Sequence, residues 1–330
     1  KKQNNRQLAD GDAVEGNMAN GLFQQEFGEL VTAERWSNLT VNESFANYSE
    51  YLCSEYKYGK DKADEHNLED MQGYLQSGSE NKDLVRFYYS DKEDVFDAVS
   101  YNKGGRILNM LRNYVGDDAF FKSLNNYLTT NKFKAGEAGQ LRLAFEETTG
   151  KDMNWFWNQW YYGNGQPKLK IDYLYDDAKG KAQVIVEQTQ NPEKVFRLPI
   201  AIDIYNGSSK VRYKVWLENI IDTFTFNYAS HPDLINVDAD KVLLCEKTDN
   251  KTTPNFIHQF KFAPNYLDRK EALDYFSANG LKELSMGLNE KFAGLRSQTI
   301  ESLYGSKFSK DLEVIKSIET IANNDKSKKT

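Results

Sequence analysis

Apolar residues recur every three or four positions through the first half of the chain, then switch to every second position after a glycine-rich break. From Asn42 to Tyr58, Phe45, Tyr48, Leu52 and Tyr56 fall near helical spacing and predict one apolar helix face. Lys103 to Tyr114 repeats this with Ile107, Leu108 and Leu111, and Gly116 stands just past it as a stop. Asp117 to Thr130 restarts with two acidic residues in its first turn, where the helix dipole favours them. A shorter helix over Gln140 to Thr148 closes at Gly150, and the aromatic block from Trp155 to Tyr162 is expected to be mostly core.

Gly163-Asn164-Gly165-Gln166-Pro167 breaks the helical pattern. Beyond it Leu169, Ile171 and Tyr173 alternate, then Val184 and Val186, then Leu198, Ile200, Ile202 and Ile204. Val211, Tyr213 and Val215 follow, then Phe224 and Phe226, then Ile235 and Val237. Short strands with turn signals such as Asn206-Gly207 predict an antiparallel β-sandwich, with Pro199 at an edge or a bulge. Past Thr252-Thr253-Pro254 the chain turns helical again, over Lys270–Ser277, Leu281–Leu288 and Asp311–Ala322, and the polar run 323–330 is expected to fray. The expected fold class is therefore α+β in three parts: a helical domain over 1–165, a β-sandwich over 166–250 and a helical segment over 251–330.

Composition narrows the function. No run approaches the roughly 18 uncharged apolar residues of a membrane helix, and the start Lys1-Lys2-Gln3-Asn4-Asn5 is no secretory signal. A net charge of −7 argues against a nucleic-acid partner held by broad phosphate neutralisation. Cys53 and Cys245 are too few for a disulfide framework or a structural zinc knuckle. They fit a cytoplasmic or a periplasmic setting equally. There are three histidines, His66, His231 and His258, and no two lie within four residues of each other. A pair of histidine ligands on one helix is excluded.

Three local patterns carry chemistry. Residues 27 to 32 read Phe-Gly-Glu-Leu-Val-Thr, Trp36 to Ala46 follow as Trp-Ser-Asn-Leu-Thr-Val-Asn-Glu-Ser-Phe-Ala, and Tyr101-Asn102-Lys103-Gly104-Gly105 comes later. With the aromatic block ending in Trp160, these resemble the M1 family of zinc aminopeptidases, gluzincins related to aminopeptidase N. The resemblance runs from about Ala19 to Pro167 and weakens beyond. It implies the helical half of a thermolysin-like catalytic domain, and removal of N-terminal residues from peptides with zinc as cofactor.

In that family a His-Glu-x-x-His helix precedes the Phe-Gly pair, and its two imidazoles, four apart, share one helix face and bind zinc. A glutamate further along is the third ligand. Laid on this chain, the first histidine position is Asn20, the general-base glutamate is Gly21 and the second histidine is Gln24. Phe27-Gly28 anchors this register on one side. On the other, eighteen residues separate Gln24 from Glu43, as the third ligand requires. The tryptophan usual before Phe-Gly is Glu26 here. Glu43 matches the third ligand, and Tyr101 the tyrosine that steadies the tetrahedral intermediate. Two amides and one carboxylate make a poor zinc site, and Gly21 offers no group to take a proton from water. The expected consequence is a catalytically inactive relative with no cofactor of its own, retaining a peptide- or protein-binding role. The family's usual N-terminal β-domain and amine-binding segment are expected ahead of Lys1, so the chain reads as the later part of a longer protein.

Plainer readings stand beside these. Glu43 is also a first-turn carboxylate that suits its own helix, Tyr101 a packing tyrosine, and Asn20 and Gln24 surface polar residues. Asp64-Glu65-His66 reads as a solvated acidic run, and Gly104-Gly105 as close helix packing rather than a phosphate loop. Two other functions compete: an active metallopeptidase completed by other residues such as His66, and a structural or assembly module presenting the sandwich.

Overall fold

The structure is a computed structural model describing residues 13–325 and 327, so the start of the chain, Lys326 and residues 328–330 lie outside the described residues. It opens with α1 (Ala13–Gln24), a π-helical turn over Gln25–Leu30 and a short strand β1 (Val31–Ala33). Next come α2 (Thr40–Tyr58), α3 (Lys60–Gln76), α4 (Gly104–Val115), α5 (Asp117–Asn131), β2 (Lys134–Gly136), α6 (Ala138–Thr149) and α7 (Asn154–Trp160). Four of these match the apolar spacing closely. On α2, Phe45 and Tyr48 are buried, but Tyr56 is 95% exposed because the last turn of the helix runs beyond the core.

α3 is the helix that apolar spacing does not reveal. Its buried face mixes Ala63, Leu68 and Tyr74 with Asp64, Asn67 and Asp70, so hydrophobicity carries little period. Asp64-Glu65-His66 is not a solvated run: Asp64 is buried and accepts hydrogen bonds from Lys60 Nζ at 2.7 Å and from the Tyr51 hydroxyl at 3.2 Å. β1 and β2 pair in parallel, and three-residue strands are too short to show alternation.

The aromatic block is core apart from its flanks. Phe156, Trp157, Trp160 and Tyr161 are buried, while Trp155 is partly exposed and Tyr162 is 39% exposed. Beyond it seven strands sort into two sheets: β3 (Lys168–Asp176), β4 (Lys181–Gln188), β5 (Leu198–Asn206), β6 (Ser209–Leu217), β7 (Ile221–Asn227), β8 (Leu234–Val237) and β9 (Glu246–Asp249). The order is β7-β4-β3-β9 in one sheet and β6-β5-β8 in the other. All pairs are antiparallel except β9, which runs parallel to β3, so the first sheet is mixed rather than wholly antiparallel. Pro199 precedes the β8 pairing, which begins at Ile202, and so costs no ladder bond on that side.

The remaining helices are α8 (Thr253–Phe262), α9 (Tyr266–Ala278), α10 (Ala293–Tyr304) and α11 (Leu312–Asn324), with a 3₁₀ turn over Lys282–Asn289 where a helix over Leu281–Leu288 is expected. Asn323 and Asn324 belong to α11 rather than to a frayed run. One core joins residues such as Phe45, Leu108 and Trp157 with Ile171, Val184 and Ile202. A second gathers Leu273, Phe276, Leu288 and Leu295 around Leu68 of α3. Among the described residues, no helix is long and apolar enough to cross a membrane.

Candidate functional site

The site is built on α1 and α2, which run antiparallel and meet in three polar rungs. Gln24 Nε2 donates to Glu43 Oε2 at 3.1 Å, and Asn20 Nδ2 donates to Glu50 Oε1 at 3.0 Å. At the far end Lys57 and Tyr58 both donate to Glu15. The first two rungs include Glu43, at the retained third-ligand position, and Asn20 and Gln24, which stand where the family has its two histidines.

The turn after α1 is fixed by aromatic packing. Phe27 departs from helical geometry (φ −100°, ψ 42°) and stacks on Phe45 with centroids 4.1 Å apart. Asn42 then ties the start of α2 to β1, donating to Val31 O at 3.1 Å and accepting from Ala33 N at 3.0 Å. The Phe-Gly pair and the glutamate helix are thereby locked to each other. Glu43 is buried at 8% exposure, next to the amide of Gln24.

Tyr101 lies in a π-helical turn (Val99–Lys103) leading into α4. Its phenol is pushed above the ordinary value of 10.0, first by burial and then by the charge and hydrogen bonding of Glu43. The hydroxyl is therefore a neutral donor facing that carboxylate. Close helix packing brings it there. A Cβ on Gly104 would stand 1.9 Å from Ser44 Oγ, and one on Gly105 the same distance from Asn47 Oδ1. Ser44 Oγ donates to Ser100 O at 2.7 Å, pinning the turn on α2.

Gly21 faces open space, with nothing within 4 Å of the point a Cβ would occupy, and so contributes no group to the site. The site thus consists of a carboxylate, a carboxamide that donates to it and a neutral phenol that borders it. Asn20 is turned one rung away, to Glu50.

His66 belongs to a neighbouring cluster that apolar spacing does not reveal. Its Nε2 lies 3.5 Å from Asp70 Oδ2 and 3.8 Å from Glu50 Oε2. Asp70 also accepts from Asn102 Nδ2 at 2.9 Å and from Asn47 Nδ2 at 3.3 Å. Burial raises the Asp70 carboxyl to about 6, and the charge of Glu50 adds to this against His66, Asn47 and Asn102. Glu50 follows Glu43 by seven residues, about 10 Å along the helix. The carboxylates beside His66 are thus Glu50, two turns along α2 from Glu43, and Asp70 of α3. The signal that could have found this cluster is the recurrence of polar residues at Glu43, Asn47 and Glu50, one stripe of α2. Among the described residues, no group of three or more His, Cys, Asp or Glu side chains is arranged to hold a metal ion.

A helical half carrying this site, followed by two sheets and a helical end, is the layout of an aminopeptidase-like α+β protein. Residues 2–160 match the Peptidase family M1 domain. Probable aminopeptidase 1 of Sulfurisphaera tokodaii is 24% identical over 65% of this chain and 29% of its own length. Aminopeptidase N of Lactococcus lactis is 27% identical over 58% of this chain and 23% of its own. A crystal structure of Legionella pneumophila aminopeptidase A in complex with aspartic acid shares the fold, with a TM-score of 0.69 at 15% identity, covering 89% of this chain and 34% of that one. The chain belongs to the M1 aminopeptidase-like family. It spans under a third of the length of the Sulfurisphaera and Lactococcus relatives.

Proposed function

We propose that this chain is an M1 peptidase relative that has lost zinc chemistry and keeps a peptide- or protein-binding role. The carrying observation is the hydrogen bond from Gln24 Nε2 to Glu43 Oε2. In the aligned register Glu43 stands at the third-ligand position, and its Oε2 already accepts from the Gln24 amide. Neutral amides are weak zinc donors, and Asn20 spends its amide on Glu50. The donor set does not fit zinc. Gly21 removes the general base, a loss on the order of 10²–10⁴-fold in its own right. Tyr101 stays neutral beside Glu43, and a bound peptide carbonyl would take its single O–H in exchange for that carboxylate.

The restoring variant Asn20→His/Gly21→Glu/Gln24→His tests the register. Open space at Gly21 admits the new glutamate. The triple variant is expected to take up stoichiometric zinc by isothermal titration calorimetry while the parent does not. A folded triple variant without zinc uptake overturns the alignment. The binding role is tested separately: peptide titrations should give the same affinity with and without a chelator.

A further inference from the structure

Away from this site, a cavity of about 250 Å³ opens between α4, α7, β5 and β6. Trp155, Phe156, Trp160 and Trp216 supply much of its apolar wall. Tyr114, Trp155 and Trp216 meet edge to face, with centroids 5.2–5.9 Å apart. We propose that this cavity binds a small apolar carboxylic acid, its hydrocarbon part against Trp155 and Trp216 and its carboxylate at Lys151 and Lys214.

Charge decides the sign of the guest. Lys151 Nζ stands 4.8 Å over the Tyr114 ring, and the Arg197 guanidinium lies 4.4 Å over Trp216 while pairing with Glu218 at 2.6 Å. Tyr114, Trp155 and Trp216 thus each already carry a cation over one ring face. Asp240, the acidic group in the lining, is committed to Arg212 at 2.7 Å. Among the described residues the ammonium of Lys214 has no partner, and that of Lys151 touches only the Tyr114 ring. Lys214 and Trp216 share one face of β6 because strand side chains alternate, so charge and ring are presented together. An anion with an apolar body satisfies both, and a volume below the usual range for ligand pockets keeps that body small.

The test is calorimetric titration of the whole chain with N-acetylphenylalanine and with its uncharged amide. For a ligand of this size, a dissociation constant on the order of 1 mM is expected for the acid, with the amide at least about tenfold weaker. Lys151→Met and Lys214→Met change exposed side chains, so both variants are expected to fold as the parent does. Each is expected to weaken the acid by about threefold to tenfold and leave the amide unchanged. Trp216→Ala is expected to weaken both ligands. Equal binding of acid and amide, no saturable binding of the acid, or acid binding unaffected by both lysine variants would overturn the proposal.

Discussion

At the level of single residues, the molecule holds a titratable amine where water cannot reach it. Lys103, two residues from Tyr101, is fully buried, and its Nζ has no hydrogen-bond partner and stands 5.3 Å over the Tyr74 ring. Burial pulls its amine from 10.5 down to about 7. A lowered amine favours the neutral form in the folded state. The folded chain is therefore penalised fully below pH 7, and the penalty fades as pH rises from 7 towards 10.5. Lys103→Met is expected to remove that slope and stabilise the protein at pH 7 and below by roughly 1–3 kcal/mol, read from urea denaturation at a series of pH values. A variant less stable than its parent at pH 7 would contradict this. Gly21 sits in the interior of α1 with nothing near it, so Gly21→Ala is expected to gain up to about 1 kcal/mol in the same measurement.

At the scale of elements, the site depends on how closely α4 approaches α2. Adding a methyl at Gly104 places it against Ser44 Oγ, which is engaged with Ser100 O, so neither side gives way without losing that bond. Gly104→Ala is expected to cost about 1–3 kcal/mol and to displace Tyr101 from Glu43, the first visible in denaturation and the second in the titration of the phenol by ultraviolet difference spectroscopy. These two helices are legible in the sequence because their apolar stripes are strong: Ile107, Leu108 and Leu111 on α4, Phe45 and Tyr48 on α2. The Gly104-Gly105 pair is legible too, as close packing. α3 is not, since half of its buried face is made of hydrogen-bonded Asp64, Asn67 and Asp70, which interrupt the apolar stripe of Ala63, Leu68 and Tyr74. β9, with the sequence Glu-Lys-Thr-Asp, is likewise held by backbone pairing to β3 and has no apolar alternation to announce it. The Glu50–His66–Asp70 cluster inherits that invisibility, because two of its members lie on α3.

At the scale of the whole molecule, Arg106 ties the helical half to the later part of the chain. It is buried on α4 and donates to Lys241 O at 3.2 Å, to Leu243 O at 2.8 Å and to Asn67. Arg106→Met leaves those carbonyls unpaired and is expected to cost roughly 3 kcal/mol or more in urea denaturation. A loss within about 1 kcal/mol would show that the junction is held by apolar contacts instead. Purified chain equilibrated with excess zinc and then desalted tests the proposal that an M1 peptidase frame here carries an amide-lined site without zinc chemistry. Elemental analysis is paired with hydrolysis of leucine p-nitroanilide, with and without a chelator. The expected result is zinc well below one equivalent and no chelator-sensitive hydrolysis above the blank. Stoichiometric zinc with hydrolysis that the chelator abolishes would contradict that proposal.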